Sequence, residues 1–226
     1  MEKFLVARPS RSTTKKRKGE EEESSPKKSK KASYVFVYAP GAGGGDNGPL
    51  NEVLGTLGRT LALKKWVGNF PSQMNANLEL LKETAKGAKK EETLVYVGHS
   101  FGCRVIAEHL KTTNAPAIFE SYPLFGPSKP KNAGTDRVLP LKALPSDRKV
   151  LFVNGSKDPF LNRDWLEPKA PRGIAAMEAV LAEADFTSTL LPVEGATHNT
   201  LKVAKKKQLA NAGALRAAIV SYLDTI

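Results

Sequence analysis

The sequence holds one cysteine and three histidines in 226 residues. With Cys103 alone, no disulfide can close within the chain, and a cysteine-based structural zinc site lacks its ligands. No metal site is expected, and nothing in the sequence asks for a cofactor. No apolar run reaches the roughly 18 residues that a membrane span needs, and the N-terminus lacks the apolar centre of a secretory signal. The expectation is a soluble chain in a reducing compartment with no membrane partner. Acidic residues are also few, 23 against 35 Lys and Arg, which leaves a net charge of +12. An excess of that size raises the question of nucleic-acid binding, and its distribution answers it.

Residues 1–33 hold eleven of the basic residues and five of the acidic ones, half of the net charge in about a seventh of the length. Apart from Phe4, Leu5 and Val6 this segment has little apolar surface to offset the conformational entropy of ordering it, so it is read as a disordered tail. Two clusters, Lys15, Lys16, Arg17 and Lys18, then Lys27, Lys28, Lys30 and Lys31, flank an acidic run in the manner of a bipartite nuclear-import signal. An import receptor is thus a candidate partner, and the expected location is nuclear or cytoplasmic, with the nucleus favoured. The same lysines could hold phosphates weakly and without base readout, but no aromatic residue is interleaved to stack on bases, so a dedicated nucleic-acid site is not expected.

From Tyr34 onward the pattern is that of a folded body, and 40% hydrophobic residues over the whole chain supply its core. Tyr34–Tyr38 and Thr93–Val97 are β-branched and aromatic runs that end in glycine-bearing loops, and 117–119, 150–153 and 189–193 are further strand candidates. Leu50, Val53, Leu54, Leu57 and Leu61 recur at helical spacing, as do Leu78, Leu81, Ala85 and Ala88. Further helices are expected near 105–110, 172–184 and 208–224, and a weak strand signal lies at 65–70. Strands alternating with helices predict a mostly parallel sheet covered on both faces, over one domain spanning 34–226. Ligands of such sheets bind at the carboxyl ends of the strands, so the residues following each strand carry the functional argument.

Gly98-His99-Ser100-Phe101-Gly102 matches G-x-S-x-G, the tight turn that presents a nucleophilic serine between a strand and a helix, with Gly98 and Gly102 relieving its crowding. A serine hydroxyl needs a base. His99 adjoins Ser100, where neighbouring side chains diverge, and His109 lies about 13 Å along the helix at 1.5 Å per residue. Elimination leaves His198, in a loop after the last strand. Asp158 follows the strand 150–153 and is the best placed acid to orient it; Asp136, Asp147, Asp164 and Asp185 follow no strand directly. The order Ser100, Asp158, His198 is that of an α/β-hydrolase triad. The oxyanion hole is expected from the N–H of Phe101 and from the loop after the first strand, with Ala42 as donor and Gly41 and Gly43 shaping it. That loop is not a phosphate cradle, since Asp46 and Asn47 stand where a P-loop carries Lys-Ser/Thr.

Residues 34–226 resemble a compact α/β-hydrolase, and more narrowly the testis-expressed protein 30 family, which is related to the dienelactone hydrolases. The narrower likeness rests on Pro40-Gly41-Ala42-Gly43, Ser121-Tyr122-Pro123-Leu124, the run from Leu151 to Asp158, and Thr197-His198-Asn199. It implies Ser100 as nucleophile, Asp158 as acid and His198 as base. Where family members usually carry His-Gly, this chain has Pro40-Gly41. Only 24 residues separate Phe125 from Val150, too few for a large lid domain, so a shallow site suited to small or exposed esters is expected. Phe101, Phe125 and Phe160 are candidate walls. Lys202, Lys205, Lys206 and Lys207 are a solvated helix start that could also attract an acidic substrate. Cys103 is expected to be a small buried residue. The competing expectation is a catalytically inactive hydrolase-fold module in the nucleus, its tail binding partners or nucleic acid.

Overall fold

A computed structural model of the chain describes residues 33–45, 48–63, 66, 73–126, 137–163, 166–200 and 205–226, with residues 205–207 and 209 described by backbone alone. Of the proposed tail, residues 1–33, the first 32 with both basic clusters lie outside the described residues, as do Asp136, Asp164 and Lys202, while Ser33 belongs instead to the first strand.

Six strands form one parallel sheet: β1 Ser33–Ala39, β2 Gly58–Ala62, β3 Glu92–His99, β4 Ala117–Glu120, β5 Lys149–Gly155 and β6 Thr187–Val193. Their order across the sheet is β2-β1-β3-β4-β5-β6. Parallel neighbours need crossovers, and helices supply them: α1 Gly48–Gly55, α2 Met74–Ala85, α3 Phe101–Leu110, α4 Leu139–Lys142 and α5 Ile174–Ala182, with α6 Lys205–Leu223 closing the chain.

The central strands are covered on both sides, so their sequences are apolar throughout rather than alternating with polar residues. Side chains still alternate between faces. Val37, Tyr96, Phe119 and Phe152 pack with residues of α2 to α5, whereas Phe36, Val97, Ile118 and Leu151 pack with α1 and α6. The stripe Leu215, Ile219, Tyr222 and Leu223 of α6 follows helical spacing onto this second face. The Tyr222 hydroxyl donates to Lys149 O at 2.7 Å and accepts from Ala117 N at 3.0 Å, which fixes α6 to β4 and β5.

One expectation is corrected. The helical spacing of Leu50 to Leu61 does not describe one helix. Helix α1 ends at Gly55 and Leu61 belongs to β2, which among the described residues is an edge strand paired with β1 alone. The weak strand signal at 65–70 falls outside the described residues apart from Trp66, which lies in no element.

Strand succession runs toward β2 on one side of β1 and toward β6 on the other. The reversal therefore falls between β1 and β3 and opens a crevice at their carboxyl ends, where the glycine loop and Ser100 both emerge.

Candidate active site

Ser100 links β3 to α3 with φ 52° and ψ −111°, one of two non-glycine residues with positive φ among those described. Such a backbone costs about 1–3 kcal/mol and persists only where the surroundings impose it. The glycines on either side show why the turn can be so tight. A Cβ on Gly102 would sit 2.1 Å from Ala39 O, and one on Gly98 would sit 2.6 Å from Cys103 N. The turn lifts the Ser100 side chain into the crevice and places it at the start of α3, where first-turn N–H groups lack helical partners.

His198 reaches Ser100 from the loop after β6, its Nε2 lying 2.7 Å from Ser100 Oγ. On the other side of the ring, Nδ1 lies 2.9 Å from Asp158 Oδ2 and 3.1 Å from Oδ1. An ionised carboxylate only accepts, so this contact puts the neutral ring's proton on Nδ1 and leaves Nε2 free to accept from the serine hydroxyl. Asp158 is fully buried and also accepts from Phe160 N at 2.8 Å, so the carboxylate is oriented from two directions. The loops bearing these residues touch closely: a Cβ on Gly155 would lie 2.3 Å from the carbonyl oxygens of Ala196 and Thr197, and Lys157 N donates to Ala196 O at 2.8 Å. The Phe160 ring packs on the imidazole of His198 at 4.3 Å between centroids.

The glycine loop closes with a bond from Gly44 N to Gly41 O at 2.9 Å, which puts Ala42 in the turn beside Ser100. Ala42, Ser100 and Phe160 border two cavities. One, of about 350 Å³, is further lined by Gly41, Gly43, His99, His198 and Asn199. The other, of about 170 Å³, is further lined by Phe101, Arg104, Pro123 and Arg137. Every residue expected at the nucleophile, base, acid and oxyanion positions thus meets at one place. Of the candidate walls, Phe101 and Phe160 line the site, while Phe125 packs against the core.

The other two histidines are accounted for. His109 is buried on α3 with Nε2 2.9 Å from the Tyr96 hydroxyl, and burial, helped by the charge of Lys82, lowers its pKa. His99 departs from expectation. Its side chain does not diverge from the site but lines the larger cavity, 5.5 Å from the His198 ring between centroids.

Glu120 explains this and was not anticipated from sequence. His99 and Glu120 are register partners on β3 and β4, so their side chains lie beside each other on one face, and Glu120 Oε2 accepts from His99 Nδ1. The other oxygen, Oε1, accepts from Thr200 N at 3.1 Å and Thr200 Oγ1 at 2.6 Å, two residues beyond His198. The backbone oxygen of Glu120 takes Ser100 N at 3.0 Å and Cys103 Sγ at 3.3 Å. One fully buried residue thus braces both the nucleophile turn and the histidine loop. Burial alone would raise its pKa, but the charge and hydrogen bond of His99 with the Thr200 bonds outweigh it and hold the carboxyl below its ordinary value. Burial drives the Cys103 thiol the other way, well above its ordinary value, so it is a packed core residue. A signal for Glu120 did exist, an acid closing the otherwise apolar strand Ala117–Phe119, but its partners depend on register.

Among the described residues no group of three or more His, Cys, Asp or Glu could hold a metal ion, and no helix is long and apolar enough to cross a membrane.

The sequence matches the profile of an alpha/beta hydrolase domain over residues 63–212, about two-thirds of the chain, a span that takes in Ser100, Asp158 and His198. Among solved structures the chain is similar to a dienelactone hydrolase from Anabaena variabilis, at 14% identity and a TM-score of 0.53, covering 84% of this chain and 87% of that one. It is likewise similar to Est1E from Butyrivibrio proteoclasticus, at 13% identity and a TM-score of 0.56, covering 85% and 89%. An alpha-beta serine hydrolase homologue from Coxiella burnetii gives 17% identity and a TM-score of 0.58, covering 85% and 86%. At these identities the likeness concerns the fold. No curated protein matches the sequence.

Proposed function

From the premise that the chain belongs to the alpha/beta hydrolase domain family, we propose that it is a serine ester hydrolase working through an acyl-enzyme on Ser100. The observation that carries this reading is the continuous contact from Ser100 Oγ through both nitrogens of His198 to buried Asp158.

His198 Nε2 takes the hydroxyl proton as Ser100 Oγ attacks the ester carbonyl, forming the new C–O bond and a tetrahedral oxyanion. Asp158 holds the imidazolium in place without itself taking the proton. The oxyanion develops beside the start of α3 and the Gly41–Gly44 turn, where the N–H groups of Phe101 and Ala42 are the donors assigned to it. His198 Nε2 then returns its proton to the leaving alkoxide, the ester C–O bond breaks, and the acyl group remains on Ser100. Water attacks the acyl-enzyme by the same route, with His198 first as base and then as acid, and Ser100 regains its proton. Glu120 acts as a positioning residue in this scheme, holding Ser100 and the His198 loop at their separation. The two cavities, of about 170 and 350 Å³, suit compact substrates.

The test is the time course of p-nitrophenyl acetate hydrolysis. The proposal expects a mass increase of one acetyl group on Ser100 in quenched wild-type protein. It also expects Ser100→Ala to lose turnover by several orders of magnitude while keeping its thermal stability. Equal turnover by the two proteins would refute it.

A further inference from the structure

We propose that the 170 Å³ cavity is an acyl subsite for a short chain ending in a carboxylate, held by Arg104 and Arg137. The inference rests on the acyl-transfer reading of Ser100 and adds the substrate class.

The reaction assigns the two cavities different parts of the substrate. His198 must hand its proton to the leaving oxygen, so the leaving group occupies the cavity that His198 lines. The acyl group then lies on the opposite side of Ser100, in the cavity lined by Phe101, Arg104, Pro123, Arg137 and Phe160. Its size limits the acyl chain to a few carbons.

Two arginines, Arg104 and Arg137, line this cavity. Arg104 lies four residues beyond Ser100, one turn along α3, with its guanidinium 5.7 Å from the Phe101 ring centroid. Among the described residues its buried Nε has no hydrogen-bond partner, and no carboxylate pairs with it. A buried donor left unpaired is costly, and a ligand that accepts from it removes that cost. Arg137 is fixed in place rather than loose. Its Nη1 donates to Phe125 O at 2.9 Å, and its backbone oxygen accepts from the Tyr122 hydroxyl at 2.6 Å. Two arginines lining one small site match a carboxylate, which accepts from guanidinium forks more strongly than any neutral group does. The aromatic rings of Phe101 and Phe160 would flank the methylene chain.

The probes are monoethyl glutarate and ethyl valerate, esters of equal acyl length that differ in whether the far end is a carboxylate or a methyl group. Hydrolysis by the full-length protein is followed by pH-stat. The subsite predicts that kcat/KM for monoethyl glutarate exceeds that for ethyl valerate by about tenfold or more. The preference should collapse in Arg104→Met and persist in part in Arg104→Lys, whose charge remains. A preference for ethyl valerate, or one that Arg104→Met leaves intact, overturns the proposal. Calorimetric binding of free glutarate to Ser100→Ala, with and without Arg104→Met, separates the subsite from the catalysis. Binding that requires Arg104 in a protein that cleaves neither ester sustains the subsite and removes the hydrolase reading. Cleavage of both esters at equal rates with no glutarate binding removes the subsite and keeps the hydrolase. Should Arg104→Met not fold, the wild-type ester preference and glutarate binding to Ser100→Ala still decide, since absence of both overturns the proposal.

Discussion

Replacing Glu120 by Gln should destabilise the protein in a pH-dependent way. The fully buried carboxylate accepts from His99 Nδ1 through one oxygen and from the buried Thr200 N and Oγ1 through the other. A glutamine keeps one acceptor and turns an NH2 group toward a donor on the opposite side. Bonds to a charged acceptor contribute about 1.5–3 kcal/mol each, so losing the His99 bond and weakening those from Thr200 should destabilise the protein by about 3 kcal/mol. In a body of this size 1 kcal/mol moves Tm by about 2–4 °C, so a fall of about 6–12 °C is expected at neutral pH. The dependence on pH has a definite sign. The folded-state pKa of Glu120 is held below the ordinary 4.5. Its stabilisation is therefore complete above that value and is lost as pH falls through the folded-state pKa. Thermal unfolding followed by circular dichroism should show a wide gap between wild type and Glu120→Gln at about pH 7 that narrows as the pH is lowered below 4.5. Turnover should fall by about tenfold to a hundredfold as Ser100 and His198 lose their fixed separation. A Tm difference that does not change with pH, or a variant within about 0.5 kcal/mol of wild type, would refute the reasoning.

Gly102→Ala would drive a Cβ to 2.1 Å from Ala39 O, a backbone atom that cannot turn aside, so a loss of about 3 kcal/mol or more is expected in denaturant unfolding. A stability equal to wild type would contradict the packing described for the turn. Asp158→Asn keeps the acceptor for Phe160 N but offers His198 an NH2 group or a neutral oxygen, so kcat should fall by about three to four orders of magnitude with KM little changed. A loss of less than tenfold in steady-state assays would remove Asp158 from the mechanism.

The parts of this fold that could be read from sequence are those set by local chemistry. Thr93–Val97 is apolar and β-branched because β3 is covered on both faces, and the glycines after it mark where backbone approaches backbone. Scarcity helped as much as pattern, since with only three histidines His198 could be reached by elimination. Strand β2 was hidden because Leu57 and Leu61 continue the spacing of α1, and an edge strand paired on one side is only partly buried, so its five residues carry a weak apolar signal. Helix α4 is four residues long and contains Pro140, too short for any periodicity to register. Glu120 and the proximity of His99 to His198 depend on which residue of β3 faces which residue of β4, a matter of register that no single segment encodes. Arg104 stands between these cases. Its place one turn beyond Ser100 is plain in the sequence, but Arg137 joins it through tertiary contacts, its carbonyl accepting from the Tyr122 hydroxyl and its guanidinium donating to Phe125 O.

The central claim is that Ser100 is an activated nucleophile, and a fluorophosphonate probe reads that property without knowledge of the substrate. Wild-type protein should be labelled on Ser100, with labelling abolished in Ser100→Ala and strongly slowed when His198 is replaced. No labelling of the wild type, or equal labelling of wild type and Ser100→Ala, would contradict the account and favour a hydrolase fold serving as a binding module.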